Sequence, residues 1–261
     1  MTTLAPPTHS PPSGPQLDLP AIAFLGRSLA EYAQFFHLDL AALRGCDVLD
    51  VAAGPSSFVA EACARRITAV AIDPLYGRDP AELADRVSAD YRRMFTQIRA
   101  KPSLFRLNRV GRGSGSVLPG TAVPGFSSLA AAETDRQGAA QRFLADYAVH
   151  QLYGRYVAGA LPRLPFFDGT FDLVLCAHLL FTYAARFDFD WHVAAGRELV
   201  RVTAAEVRIH SLCGADGKPY PGLARLRREL RASGIASQIV ALDYEFFAGS
   251  NSMLVLWRNA P

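Results

Sequence analysis

The chain has 261 residues, 50% of them hydrophobic and 20% charged, and a formal net charge of +3. That composition excludes a disordered chain, supplies enough apolar side chains for a full core, and falls far short of the charge carried by a protein that coats nucleic acid. The four cysteines, Cys46, Cys63, Cys176 and Cys213, form no C-x-x-C and no close pair. This argues against a disulfide framework and against a structural zinc site, and points to a reducing, cytoplasmic setting. No run of about 18 apolar residues is present, and no basic start followed by an apolar run opens the chain, so neither a membrane span nor a secretory signal is expected.

Residues 1–20 hold six prolines and no periodic apolar residues, which predicts a disordered tail. From 21 to 43, Phe24, Leu25, Leu29, Tyr32, Phe35 and Phe36 recur at helical spacing and predict two lead-in helices. Residues 46–52 then read as a buried strand, 56–66 as a helix and 67–72 as a second strand ending at Asp73-Pro74. Strand, glycine-containing turn, helix and strand make a βαβ unit, and strands this apolar imply a parallel sheet covered on both faces.

Residues 77–153 interrupt the alternation. Helical stretches at 81–100 and 139–153 flank a middle rich in Gly, Ser and Pro, including Gly111-Arg112-Gly113-Ser114-Gly115. The alternation resumes with strands at 155–158 and 171–176, a helix at 191–202, a strand at 206–210 and a helix at 224–233 ended by Gly234. Strands at 238–244 and 252–257, joined by a short link, predict an antiparallel pair. The expected architecture is one doubly wound, Rossmann-like α/β domain over 21–261. Its sheet is mostly parallel and ends in an antiparallel hairpin, with 77–153 as a helical, lid-like insertion over the ligand mouth.

The chemistry is concentrated in the first turn, Val48-Leu49-Asp50-Val51-Ala52-Ala53-Gly54-Pro55-Ser56-Ser57-Phe58. Ligands of open α/β sheets bind beyond the carboxyl ends of the strands, where strand order reverses. Asp73 ends the second strand and suits the two hydroxyls of a ribose. A dinucleotide needs G-x-G-x-x-G with free N–H groups aimed at its pyrophosphate, but those positions hold Ala52, Gly54 and Ser57, and Pro55 removes one N–H. The turn suits a ligand with a carboxylate, an amine and no phosphate.

The stretch resembles motif I of the class I S-adenosylmethionine-dependent methyltransferases, V-L-D-x-G-x-G-x-G, with Asp50 and Gly54 kept and Ala52 and Ser56 replacing the first and third glycines. Residues 156–181 resemble a later stretch of the same family, v-x-G-D-A-x-x-L-P-F-x-D-x-S-F-D-x-V, through Gly159, Leu164, Pro165, Phe166, Asp168, Phe171 and Asp172. More narrowly, the chain is similar to uncharacterised bacterial methyltransferase-like proteins sharing D-V-A-A-G-P-S-S-F.

The resemblance implies S-adenosylmethionine as cofactor. Asp50 would hold the methionine amino group, and Ala52, Gly54, Pro55 and Ser56 would line the methionine and ribose. Asp73 would take the ribose hydroxyls, with Pro74, Leu75 and Leu161 around the adenine. The family's adenine-contacting Asp falls at Ala160. Ala177 and His178 end the fourth strand beside the methyl group, so His178 is the candidate catalytic residue, although the same position suits a hydrogen-bonded core histidine. Arg27 and Tyr32 stand where lead-in helices cap this pocket.

The acceptor is expected to be a small molecule, and no metal is expected, since no ligand spacing such as H-E-x-x-H occurs. Three alternatives stay open. One is a nucleic-acid methyltransferase using the eight basic residues of 86–112 (Arg86, Arg92, Arg93, Arg99, Lys101, Arg106, Arg109 and Arg112). The others are a nicotinamide-dependent oxidoreductase and a non-catalytic cofactor-binding protein.

Overall fold

Alternation along the strands divides their side chains between two faces of a single sheet. The computed structural model describes residues 14–107 and 125–259. Its strands are β1 (Asp47–Val51), β2 (Thr68–Asp73), β3 (Tyr156–Ala158), β4 (Phe171–Ala177), β5 (Thr203–His210), β6 (Ile235–Ala241) and β7 (Ser252–Arg258), in the order β3-β2-β1-β4-β5-β7-β6. β1 to β5 are parallel, and β7 runs against both of its neighbours.

Val48, Ala71, Leu173, Leu175 and Val255 face a core shared with α1 (Leu29–Phe35), α2 (Phe58–Ala64), α3 (Pro80–Ala100) and α4 (Leu129–His150). Leu49, Val51, Ile72, Val174, Cys176 and Leu254 face the opposite core, with α5 (Phe189–Val202) and α6 (Leu223–Ala232). The doubly wound α/β fold with a terminal antiparallel pair and a helical insertion after β2 is therefore the observed one. Among the described residues no helix is long and apolar enough to cross a membrane. The four cysteines are free thiols.

Several boundaries differ from the sequence reading, three of them with a structural reason. The lead-in contains one helix, α1, capped by Ser28, whose Oγ accepts from the Glu31 N–H. Residues 40–43, the end of the segment read as two helices, are turns closed by Asp39. α4 begins at Leu129, ten residues before the expected start at 139, because alanines let it pack tightly: Ala132, Ala139 and Ala140 are all buried. β6 spans 235–241 where 238–244 was expected. Leu242, Tyr244 and Phe246 continue the apolar pattern but leave the sheet and pack into the core beneath α1 to α4.

Part of the segment read as a tail is docked. Gln97 on α3 binds both the N–H and the carbonyl of Asp18, Lys101 donates to the Gln16 carbonyl, and the Leu17 N–H reaches the Ala215 carbonyl at 2.8 Å. Residues 1–13 lie outside the described residues, as does the Gly/Ser-rich stretch at 111–115. α3 and α4 bury Leu83, Tyr91, Phe95, Phe143 and Tyr147 in the common core, so the insertion is a structural wall of the domain.

One buried ion pair ties α1 to α4. Arg136 Nε donates to Glu31 Oε2 at 3.2 Å while its Nη2 and the Tyr244 hydroxyl donate to Oε1. Burial pushes the Glu31 carboxyl up, but Arg136, with Arg27 and the Tyr244 hydroxyl, outweighs this and holds it below the usual range. Arg136→Met strands that carboxylate and is expected to lower stability by about 3–5 kcal/mol. Glu31→Gln combined with Arg136→Met is expected to lose much less. Urea unfolding of both variants checks this, and equal losses would show that the pairing contributes little.

Candidate functional site

Strand order reverses between β1 and β4, which leaves a crevice at their carboxyl ends. A cavity of about 320 Å³ opens there, within the size range of small-ligand sites. Its floor is the β1–α2 turn. Ala52 and Gly54 both take the left-handed conformation, with φ of 56° and 57°. Ala52 thus holds a backbone shape that glycine adopts freely and an L-residue adopts at about 1 kcal/mol.

The turn is locked to the end of β2. The Gly54 N–H donates to Asp73 Oδ2 at 3.1 Å, the Leu75 N–H donates to Oδ1 at 2.9 Å, and the Tyr76 hydroxyl donates to the Gly54 carbonyl at 2.6 Å. It is locked to the lead-in as well: the Ser56 hydroxyl and the Ser57 N–H both donate to the Arg27 carbonyl at 3.1 Å. The consequence is chemical. Ala53 N–H is bound to the Ile72 carbonyl, Gly54 N–H to Asp73, Phe58 N–H to Ser56 Oγ, and Pro55 has none. Four of the turn's N–H groups, those of Ala53, Gly54, Ser57 and Phe58, are thus spent and Pro55 has none, which leaves few to cradle a pyrophosphate.

Both acids are buried. Asp50 is 0% exposed, its Oδ1 accepting from the Tyr32 hydroxyl at 3.1 Å and its Oδ2 without a partner. Burial pushes its carboxyl well above the usual range, against the Tyr32 hydrogen bond and with the help of the Asp73 charge. Burial likewise pushes Asp73 up to about 6, against the Leu75 and Gly54 N–H groups. Arg27 Nη1 donates to the Leu25 carbonyl, while its buried Nε has no partner and lies 3.8 Å from Glu31 Oε1.

At the end of β4, His178 also has positive φ, 51°, and its ring sits edge-on to Phe35 and His210. Burial, aided by the Arg27 charge, holds His178 well below the usual histidine range. His210 Nε2 donates to the Ser250 carbonyl at 2.7 Å, leaving Nδ1 as a buried acceptor without a partner.

Of the residues expected at the site, Ala52, Gly54, Asp73, Pro74 and Leu75 line the cavity, as do Ala160, Leu161, Ala177 and His178. Asp50 lies directly beneath, held by cavity-lining Tyr32. Pro55 and Ser56 do not line it. Gly26 packs against the Pro55 carbonyl, and the Ser56 hydroxyl is spent on Arg27, so both are covered by the lead-in segment.

The basic residues of 86–112 are dispersed. Arg86 and Arg93 pair with Asp90, Arg99 with Glu133, and Lys101 with a carbonyl, while Arg109 and Arg112 lie outside the described residues. Among the described residues no three His, Cys, Asp or Glu side chains converge as a metal site would need.

Sequence reasoning missed Tyr76, Arg136, Tyr244 and the aromatic wall of Phe105, Phe246 and Trp191, all of which border the cavity or its floor. One signal was available for Arg136: it is the only charged residue in the stripe Ala132, Arg136, Ala139, Ala140 and Phe143.

No family model matches the chain. An uncharacterised protein of Methanocaldococcus jannaschii is 26% identical over 243 residues, covering 93% of this chain and 99% of that protein. Solved structures similar to the chain include a TehB-like S-adenosylmethionine-dependent methyltransferase from Corynebacterium glutamicum, at 14% identity and a TM-score of 0.46 with 88% of each chain covered. They also include the 1,6-didemethyltoxoflavin-N1-methyltransferase of Burkholderia thailandensis with bound 1,6-didemethyltoxoflavin and S-adenosylhomocysteine. It is 13% identical, with 88% of this chain and 79% of that chain covered and a TM-score of 0.43.

The lead-in approaches the turn so closely that a Cβ on Gly26 would lie 2.0 Å from the Pro55 carbonyl oxygen. Gly26→Ala is therefore expected to displace the lead-in and lower stability by more than about 2 kcal/mol. At Gly54 a Cβ meets nothing closer than 3.6 Å, so Gly54→Ala should lose only about 1 kcal/mol of backbone preference. Thermal unfolding ranks the two, and the reverse order would refute this account of the contact.

Proposed function

We propose that the protein transfers a methyl group from S-adenosylmethionine to a small-molecule acceptor, as a class I methyltransferase. The observation that carries this reading is the set of unspent polar groups around one cavity: Asp50 Oδ2 and Arg27 Nε, both buried without partners, with Asp73 at the neighbouring strand end. A buried carboxylate oxygen and a buried guanidinium N–H left unmatched are costly unless a ligand matches them. An amino acid's ammonium and carboxylate match this pair, and a ribose matches Asp73. Pro74, Leu75, Ala160 and Leu161 then supply apolar contacts for a purine. The occupied N–H groups of the turn count against a dinucleotide.

The cofactor supplies an activated methyl carbon on a sulfonium, and the chain supplies orientation and a dry pocket. Asp50, kept in place by Tyr32, fixes the amino end, and Arg27 fixes the carboxylate. His178 stays unprotonated through the neutral range because its basicity is depressed, so a ring nitrogen is free to take a proton from an acceptor hydroxyl. α3 and α4 contribute Met94, Ile98 and Arg136 to the wall and cover the acceptor.

Calorimetry with S-adenosylmethionine, S-adenosylhomocysteine and NAD is expected to show micromolar binding of the first two and none of the third. Loss of binding of the sulfur compounds would overturn the reading. Asp73→Asn is expected to weaken S-adenosylhomocysteine at least about tenfold, a loss of about 1.4 kcal/mol, with the protein alone still unfolding in one cooperative transition.

The pH dependence has a defined sign. The ribose-binding form of Asp73 is the carboxylate, which takes up a proton in the empty protein as pH falls through about 6. Affinity should therefore drop by about tenfold or more between about pH 7.5 and about pH 5, and more shallowly in Asp73→Asn. A flat profile in the parent protein would remove Asp73 from the ribose.

A further inference from the structure

Away from the β1 and β2 turns, the cavity wall is apolar and aromatic. Met94, Ile98, Phe105 and Phe246 line it, with the Phe105 and Phe246 rings 5.2 Å apart. Its charges are one-sided. Among the described residues the wall carries three guanidiniums, Arg27, Arg86 and Arg136, and one carboxylate, Asp73. The acids that balance Arg86 and Arg136 are Asp90 and Glu31, and neither lines the cavity. Arg136 lies over the Phe246 ring, 4.5 Å from its centroid, so the positive end of its ion pair backs the aromatic wall. The other titratable groups on this side are neutral. Burial keeps the Tyr32 and Tyr244 hydroxyls protonated and the His178 ring unprotonated.

We propose that the acceptor is a flat, apolar molecule with an acidic hydroxyl, a phenol or an enol, that is bound and methylated as its oxyanion, and that amines are disfavoured. This rests on the methyltransferase reading above and names its substrate class.

The charge balance of the reaction supports it. When an oxyanion attacks, its electron pair forms the O–CH₃ bond, the S–CH₃ pair returns to sulfur, and the sulfonium and the oxyanion both become neutral. An apolar wall favours that cancellation of charge. When a neutral amine attacks, the positive charge moves to nitrogen and needs a nearby carboxylate. The two acids at the cavity, Asp73 on the wall and Asp50 beneath it, are assigned to the ribose and to the cofactor's amino group. His178 argues the same way, because a base of depressed basicity removes a proton efficiently only from an acidic hydroxyl.

The test uses 4-nitrophenol, whose absorption distinguishes phenol from phenolate, and 4-nitroaniline, a neutral amine of similar size and shape. Each is titrated into the full chain saturated with S-adenosylhomocysteine. The expected result is that 4-nitrophenol binds with its apparent pKa lowered by about one unit, which is a tenfold preference for the anion. 4-Nitroaniline should bind at least about tenfold more weakly, by the same conversion. Glu31→Gln with Arg136→Met, which removes one charge of each sign and leaves Arg27 in place, should reduce the pKa shift while S-adenosylhomocysteine still binds.

An unshifted or raised pKa, equal binding of the amine, or no binding of either nitro compound would each overturn the proposal and leave the methyltransferase reading standing. Failure of S-adenosylhomocysteine itself to bind would overturn that reading and this one with it.

Discussion

The hydrogen bonds that Asp73 accepts from the Gly54 and Leu75 N–H groups are the contacts on which the site depends. They join the ends of two adjacent parallel strands, so the turn after β1 cannot move without the turn after β2. Tyr76 closes the same lock from the other side by donating to the Gly54 carbonyl. The left-handed residues Ala52 and Gly54 bend the chain so that its N–H groups point inward to β2, not outward to a ligand. A phosphate-binding turn must do the opposite. The same local geometry therefore both rigidifies the floor and determines the kind of ligand the floor can accept.

The second layer of the site comes from residues far away in the chain. The lead-in crosses the turn at Gly26, and its next residue, Arg27, brings a guanidinium to the cavity while its carbonyl accepts from Ser56 and Ser57. Glu31, four residues further, holds Arg136 from the insertion and Tyr244 from the loop after β6. One acid thus gathers three segments around the ligand space. Because Glu31 itself does not line that space, the cations it binds can present their charge to the cavity. Removing a buried partner from such a cluster acts on cover and stability together.

The sheet was legible because buried parallel strands are short apolar runs bounded by turn residues, and β1, β2 and β4 have that form. The site was legible to the extent that it lies in those strand ends: Asp50, Gly54, Asp73 and His178 come to one crevice because the strands carrying them are neighbours. The reading failed where side-chain pattern and backbone path part company. Leu242 and Tyr244 keep a strand's alternation yet leave the sheet to fill the core, which moved β6 by three residues. The early turns of α4 carry alanines and an arginine and so lack a helix's apolar stripe, yet they are buried through their small size and through Glu31. Pro55 and Ser56 belong to the motif but are covered by Gly26 and Arg27, a contact that no local pattern encodes.

The buried charges at the site cost stability, and this bears on how it works. A carboxyl whose pKa is raised on folding favours the folded state below its ordinary pKa, and that contribution is lost as pH rises through the shifted value. For Asp73, raised from 3.8 to about 6, the loss at neutral pH is about 3 kcal/mol. Asp50 is shifted in the same direction, and Arg27 is shifted down by burial, so it too is held less favourably charged than in water. A core selected for stability alone would not place two acids and a half-partnered guanidinium side by side at strand ends. On the proposed reading, a ligand with an ammonium, a carboxylate and paired hydroxyls would relieve all three, so the stability forgone would reappear as selectivity for a ligand carrying that combination.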